Sequence, residues 1–233
     1  RLQLEIISEA VPGIAKADCA GFLDHWLGIV ASHLEPADAR AFQAALRGAG
    51  YETDIVPDCE IPALHPDFRC QRLALDESSF ILTDAMGRVR NVSRNDLVFA
   101  AAGVVRRQKW VTTFRTEIVP RFCGEVSVNV PVETRTKQEQ EQTFFRIDLF
   151  FSREPYRISL EIDADRVLFY ADRPIRIKHT LDLKILMTDL SMLLPQDRMN
   201  TGLRERTLDF VYSGVKAYEE EIRWAFHRLG ARG

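Results

Sequence analysis

Between Phe144 and Ile162 the chain alternates apolar and polar residues twice over. In FFRIDLFF, Phe145, Ile147, Leu149 and Phe151 fall on one side; in YRISLEID, Tyr156, Ile158, Leu160 and Ile162 do the same. A period of two is the mark of a strand with one face in a core. DAD turns the chain, RVLFYA follows, and PIRIKHT alternates Ile175 and Ile177 with Arg176 and Lys178. The period then changes. Leu183, Leu186, Met187, Leu190, Leu193 and Leu194 recur at helical spacing, behind Thr180 as an N-cap and ahead of Pro195 as a stop. The pattern predicts an amphipathic helix laid on a sheet.

Upstream, RCQRLALDE, SFILTD and RVRNVS read as strands, and DAMG as a turn with Gly87 at positive φ. LVFAAAGVV is apolar on both faces and is expected centrally in the sheet. Residues 108–143 are less regular. EVSVNVPVET alternates, with Pro131 marking an edge or a bulge, whereas RTKQEQEQ reads as a solvated loop or hairpin tip. Nearer the start, IAKADCAGFLDHW predicts a short helix over about 15–25. WLGIVASHL, EPADARAFQAALRGAG and YETDIVP then predict strand, helix and strand, a small βαβ-type unit. The proline-rich PDCEIPALHPD closes that unit as a rigid loop. After the loop QDRMNTGLRER, a last helix is expected from Arg206 to Leu229, with Gly214 in its middle as a kink or a close crossing.

These elements give an α+β chain in three parts: an N-terminal α/β unit over 1–66, a bent antiparallel sheet with a capping helix over 67–196, and a C-terminal helical extension over 197–233. The stretch GRVRNVSRNDLVFAAAGVV combines a hairpin return, a polar turn carrying an Asp, and an apolar strand. It resembles uncharacterised bacterial proteins with a pleckstrin-homology-like domain, over about residues 70–195. The resemblance implies a strongly bent sheet closed at one end by a helix, and no particular activity.

Composition narrows the function classes. With 46% hydrophobic and 28% charged residues the chain can build a core, and its net charge of −3 gives no general attraction to nucleic acid or anionic lipid. No run approaches the ~18 apolar residues of a membrane span, and RLQLEIISEAVPGIAK lacks a secretory apolar region. Cys19, Cys59, Cys70 and Cys123 show neither CxxC nor zinc spacing. They read as buried thiols of a reducing compartment, with a Cys59–Cys70 disulfide as the alternative. The expected setting is the cytoplasm, without a cofactor.

Three groups of residues are candidates for chemistry. Between Asp84 and Arg121 there are eight Lys/Arg against three acids, and Arg88, Arg90 and Arg94 are candidate anion ligands, because the guanidinium fork fits phosphate or carboxylate. The competing reading is a solvated sheet face. Nucleic acid is not expected, since no Gly-rich phosphate loop is present and Phe99 is the one aromatic within 88–107. Asp148, Glu161 and Asp163 lie on neighbouring polar strand faces, where such oxygens can hold a divalent metal for a hydrolase or nuclease. No catalytic Lys is close by, and ordinary antiparallel strands carry similar residues. His65 and Asp67 in LHPDF form a weaker pair, read first as loop structure. Tyr218, Trp224 and Phe226 are large aromatics on a terminal element, the sort that anchor interfaces. The function expected is a non-enzymatic module binding a protein partner or an anionic group. The alternatives are a metal-dependent hydrolase or nuclease and a subunit of a homo-oligomer.

Overall fold

The computed structural model of the chain describes residue 29 and residues 32–48, 50–123 and 126–230, with backbone alone at 120–123 and 126–128. The alternating strands near Phe144 belong to a five-stranded sheet ordered β1-β7-β6-β5-β10. Its members are β1 (Phe68–Cys70), β5 (Leu97–Cys123), β6 (Val126–Phe151), β7 (Arg157–Ile162) and β10 (Val211–Tyr212). A second sheet, β4-β3-β2-β8-β9, is built from β2 (Arg72–Leu75), β3 (Ser79–Thr83), β4 (Val89–Ser93), β8 (Leu168–Tyr170) and β9 (Arg173–Ile175). Neighbours are antiparallel except β1/β7, β5/β10 and β2/β8.

The main core lies between the sheets. Phe145, Ile147, Leu149 and Phe151 meet Phe80 and Leu82 from β3, and helix α2 (Thr180–Ser191) closes over them with Leu183, Leu186, Met187 and Leu190. The Tyr170 hydroxyl donates to Asp189 Oδ2 at 2.7 Å, tying α2 to β8. Gly87 sits at φ +77°, as the turn chemistry requires. Tyr156, expected in line with Ile158, precedes β7 and stacks on His65 at 4.6 Å.

The run Ala100–Gly103 is buried because three elements close on it. Helix α3 (Thr201–Glu205) approaches so tightly that a Cβ at Gly202 would stand 2.1 Å from the Ala102 carbonyl oxygen. A Cβ at Gly103 would stand 2.4 Å from the Tyr212 ring. Asn200 replaces a strand partner. Its Oδ1 accepts from Ala102 N at 2.9 Å, and its Nδ2 donates to Ala102 O at 3.0 Å. Glu221 accepts from Thr201 N at 2.8 Å and from the Tyr212 hydroxyl, binding helix α4 (Val215–Gly230) to the same node.

The continuous last helix expected over Arg206–Leu229 is therefore divided. Arg206 takes a left-handed φ of 53° and ends α3, Val211–Tyr212 pair with β5 as β10, and Gly214 precedes α4 instead of lying inside it. Pairing Tyr212 beside Gly103 outweighs helical continuity.

In the N-terminal part, α1 (Pro36–Gly48) forms as expected and buries Phe42 and Leu46. Residues 51–57 carry no strand, so the predicted βαβ closure is absent there. The helix expected over 15–25 and most of the strand expected over 26–34 lie outside the described residues. Cys59 and Cys70 are free thiols; burial pushes the Cys70 thiol up to about 12.

The largest departure from expectation is at 108–143. β5 runs on through Arg106, Arg107 and Lys109, and RTKQEQEQ is no loop: β5 and β6 stay paired from Gly103↔Arg146 to Cys123↔Val126. Beyond Arg106 no other strand among the described residues flanks them, so a two-stranded arm on the order of 55 Å projects from the body. Pro131 stands, as expected, on an edge: among the described residues no strand runs along the outer side of β6 there.

Three substitutions test this packing. Asn200→Ala leaves the Ala102 amide and carbonyl buried and unpaired, and is expected to lower unfolding free energy by about 2–3 kcal/mol in urea titrations. Gly202→Ala is expected to destabilise by a comparable ~2 kcal/mol through overpacking, whereas Gly214→Ala, with nothing within 4 Å of its Cβ, stays neutral or gains slightly.

Candidate interaction surface

Most of the polar groups singled out in the sequence are held by a specific neighbour; Arg94, whose Nε is buried without a hydrogen-bond partner among the described residues, is the exception. Arg88 precedes β4 and pairs with Asp84 (Nε–Oδ2 2.6 Å), which also accepts from the backbone amides of Met86 and Arg88. Those backbone donors, with the Arg88 guanidinium beside them, hold the Asp84 carboxyl below its usual 3.8. Arg90 lies over the Phe68 ring at 4.6 Å. Arg94 sits in a 3-10 turn beyond the other end of β4. The strand separates Arg88 from Arg94 by about 20 Å, and the three arginines converge on no common point.

The carboxylates fare similarly. Asp148 is fully buried between two buried arginines, Arg146 (Nε–Oδ2 2.7 Å) and Arg157 (Nε–Oδ1 2.8 Å). Arg146 continues to Glu161 at 3.2 Å and Asp67 at 3.3 Å, and Arg157 to Glu219 at 2.6 Å. Asp163 caps the turn after β7, accepting from Asp165 N at 2.7 Å and Arg166 N at 2.8 Å, and pairs with Arg107. Burial raises the Asp163 carboxyl, but those donors and the guanidinium outweigh it, and the net shift is downward. Asp67 is lowered in the same way against burial, by the Ser159 hydroxyl (2.8 Å) and Arg146. Burial lowers the Arg146 and Arg157 guanidiniums, but Asp148 outweighs it and their net shift is upward. Guanidiniums thus hold Asp148, Glu161 and Asp163. Among the described residues no group of three or more His, Cys, Asp or Glu is arranged to hold a metal.

Helix α4 covers this charged layer. Tyr218 is buried above Arg146, and Phe226 packs on Phe99 (5.0 Å) and Phe150 (5.1 Å). Of these two aromatics, expected at an interface, Tyr218 is inside the protein's own second core and Phe226 is partly buried against it. Trp224 stacks on His227 at 5.5 Å and lines an 810 Å³ groove with Phe42 and Leu46 of α1. A smaller 420 Å³ hollow beside Arg157, Glu219 and Arg223 is lined by groups already paired.

The arm is different in kind. Register places Trp110, Thr112, Phe114, Thr116 and Ile118 on one face with Glu139, Lys137, Arg135, Glu133 and Pro131 opposite them. Trp110, Phe114 and Ile118 are 65%, 58% and 70% exposed. Arg135 lies over the Phe114 ring at 5.3 Å. The other face carries Gln138, Gln140 and Gln142 against Val111, Lys109 and Arg107. At the root, Arg107 and Lys109 pair with Asp163 and Asp165 of the β7–β8 turn and fix the direction in which the arm leaves. The three apolar residues carry the one signal of this surface in the sequence, a spacing of four within a strand. Smaller exposed apolar residues, Leu181, Ile185 and Met192, lie along α2.

Comparisons with protein-family models, with curated proteins and with solved structures give no match. No helix among the described residues is long and apolar enough to cross a membrane.

Two stability measurements check the charged layer. Asp148→Ala strands two buried guanidiniums and is expected to lower stability by about 3–5 kcal/mol. Asp67, Asp84 and Asp163 have folded pKa values below 3.8. Their stabilisation is complete above that value and is lost as pH falls through the lower folded values. Chemical denaturation midpoints are expected to hold between pH 7 and 5 and to drop chiefly below about 4.

Proposed function

We propose that this chain is a non-enzymatic protein-interaction module whose body follows a pleckstrin-homology-like plan and whose contact surface is the β5–β6 arm. The single observation that carries the reading is the row Trp110, Phe114 and Ile118, exposed on a ribbon that has no sheet or helix beneath it among the described residues. A two-stranded hairpin alone in water is marginally stable, and exposed aromatic rows mark contact sites. The two five-stranded sheets with α2 over the core they share support the pleckstrin-homology-like plan. Against an anion site, Arg88 is held by Asp84 and Arg90 by Phe68. Against a hydrolase, each candidate carboxylate is held by arginine. The reading needs no cofactor, and the free Cys59 and Cys70 favour a reducing, cytoplasmic setting.

A photo-crosslinking amino acid placed at Phe114, and separately at Met86 on the body, tests the reading in the native cells. The position 114 protein is expected to give a discrete protein adduct, of either this chain or another, and the position 86 protein none. If position 114 yields no adduct above position 86, the arm is not the contact surface.

A further inference from the structure

We infer that the arm's partner is a second copy of this chain, the two arms lying antiparallel with their Trp110–Phe114–Ile118 faces together about a two-fold axis at Phe114. This rests on the interaction reading above and names the partner. The face is self-complementary in the way an isologous contact demands. Phe114 lies near the middle of the arm, Arg106–Cys123, so an axis there overlaps the arms along their whole length. Trp110 and Ile118 stand four residues to either side, so Trp110 of one copy meets Ile118 of the other, and Phe114 meets Phe114. On β6 the same axis passes Arg135, the partner of Phe114 in register. It sets Glu133 of one copy against Lys137 of the other, and the reverse.

The one like-charge contact, Arg135 against Arg135, lies on the axis. Each of those guanidiniums already rests on its own Phe114 ring at 5.3 Å, with Glu133 two residues away. An axis one pairing step toward the root, at Thr112 and Lys137, would instead bring Lys137 onto Lys137 and move Ile118 off Trp110.

Size and twist favour a copy. A face about 55 Å long and about 10 Å wide covers roughly 550 Å² per chain, or about 1,100 Å² across a pair, near the lower end of stable interfaces. Two-stranded ribbons twist strongly and with one hand. A second identical ribbon has the same twist, so the contact can continue along the arm as the two coil about each other.

Sedimentation equilibrium from about 1 to 100 µM tests the pairing on the full chain. Wild type is expected to be a dimer at the upper end of that range. Trp110→Glu/Ile118→Glu is expected to sediment as a monomer with an unchanged far-ultraviolet dichroism spectrum. Glu133→Lys and Lys137→Glu are each expected to weaken self-association about tenfold, by placing like charges across the axis. Mixing these two variants restores association, because each then offers the charge the other needs; the double swap Glu133→Lys/Lys137→Glu restores it within one chain. A monomeric wild type at 100 µM overturns the proposal, and so does a dimer that Trp110→Glu/Ile118→Glu leaves intact or charge reversals that fail to rescue each other. A monomer whose position 114 crosslinks to a different protein overturns the second copy while the interaction reading stands; the absence of any adduct removes both.

Discussion

Strand β5 must be buried on both faces and along its outer edge at once, and most of the architecture follows from that demand. Ala100, Ala101 and Ala102 are fully buried. Even positions face the core under α2, while odd positions face the layer under α4. Side chains this small leave space that other elements fill: Gly202 against the Ala102 carbonyl and the Tyr212 ring against Gly103. The edge is then closed partly by β10 and partly by the Asn200 carboxamide, which makes the two hydrogen bonds a neighbouring strand would make. An unpaired amide or carbonyl at that depth costs about 1–3 kcal/mol. One asparagine therefore controls whether 199–222 can dock at all.

This explains what the sequence made legible and what it hid. The strands near Phe145 and Ile158 and the helix around Leu186 each bury one face, so their period shows in the residue pattern. LVFAAAGVV was readable as a central strand because both faces are apolar. The arm defeated the same logic. RTKQEQEQ is polar on both faces because both are solvated, so that half of the arm strand leaves no alternation to read, although VSVNVPV nearer the tip does alternate. The division of the last helix was hidden for another reason. Its residues keep helical spacing, and only the long-range approach of Tyr212 to Gly103 overrides it. At 51–57 the opposite happened: local β propensity was present, but a strand exists only where a partner runs beside it.

Charge read along the chain misled in a related way. Much of the basic excess between Asp84 and Arg121 is met by acids that lie elsewhere in the sequence. In space Arg88 meets Asp84, Arg106 meets Glu141, Arg107 meets Asp163 and Lys109 meets Asp165. The carboxylates that invited a metal are the same groups seen from the other side. Asp148 and Glu161 stand between Arg146, Arg157 and Arg166. A guanidinium supplies fixed donors to several oxygens at once, so the layer beneath α4 is crosslinked by charge where the first core is held by apolar contact. Such a layer adds directional specificity to the packing of α4: sliding the helix by one turn would carry the half-buried Glu219 away from Arg157 and leave Arg157 with Asp148 as its remaining carboxylate.

The charged layer also bears on how the arm works. A free ribbon would lose much of its binding energy to the entropy of being ordered. Here the strands of the arm are continuous with the most buried strands of the body, and Arg107 and Lys109 clamp the point of exit to the β7–β8 turn. Direction at the root is set before any contact is made, so ordering is confined to the outer part, where Trp110, Phe114 and Ile118 lie. The opposite face is glutamine-rich near the root and its apolar residues farther out are valines, Val119 and Val132 among them, so the large aromatic and isoleucine side chains stand on one face. A surface so arranged is aimed from one side, and the rigidity of β5 within the body is what aims it.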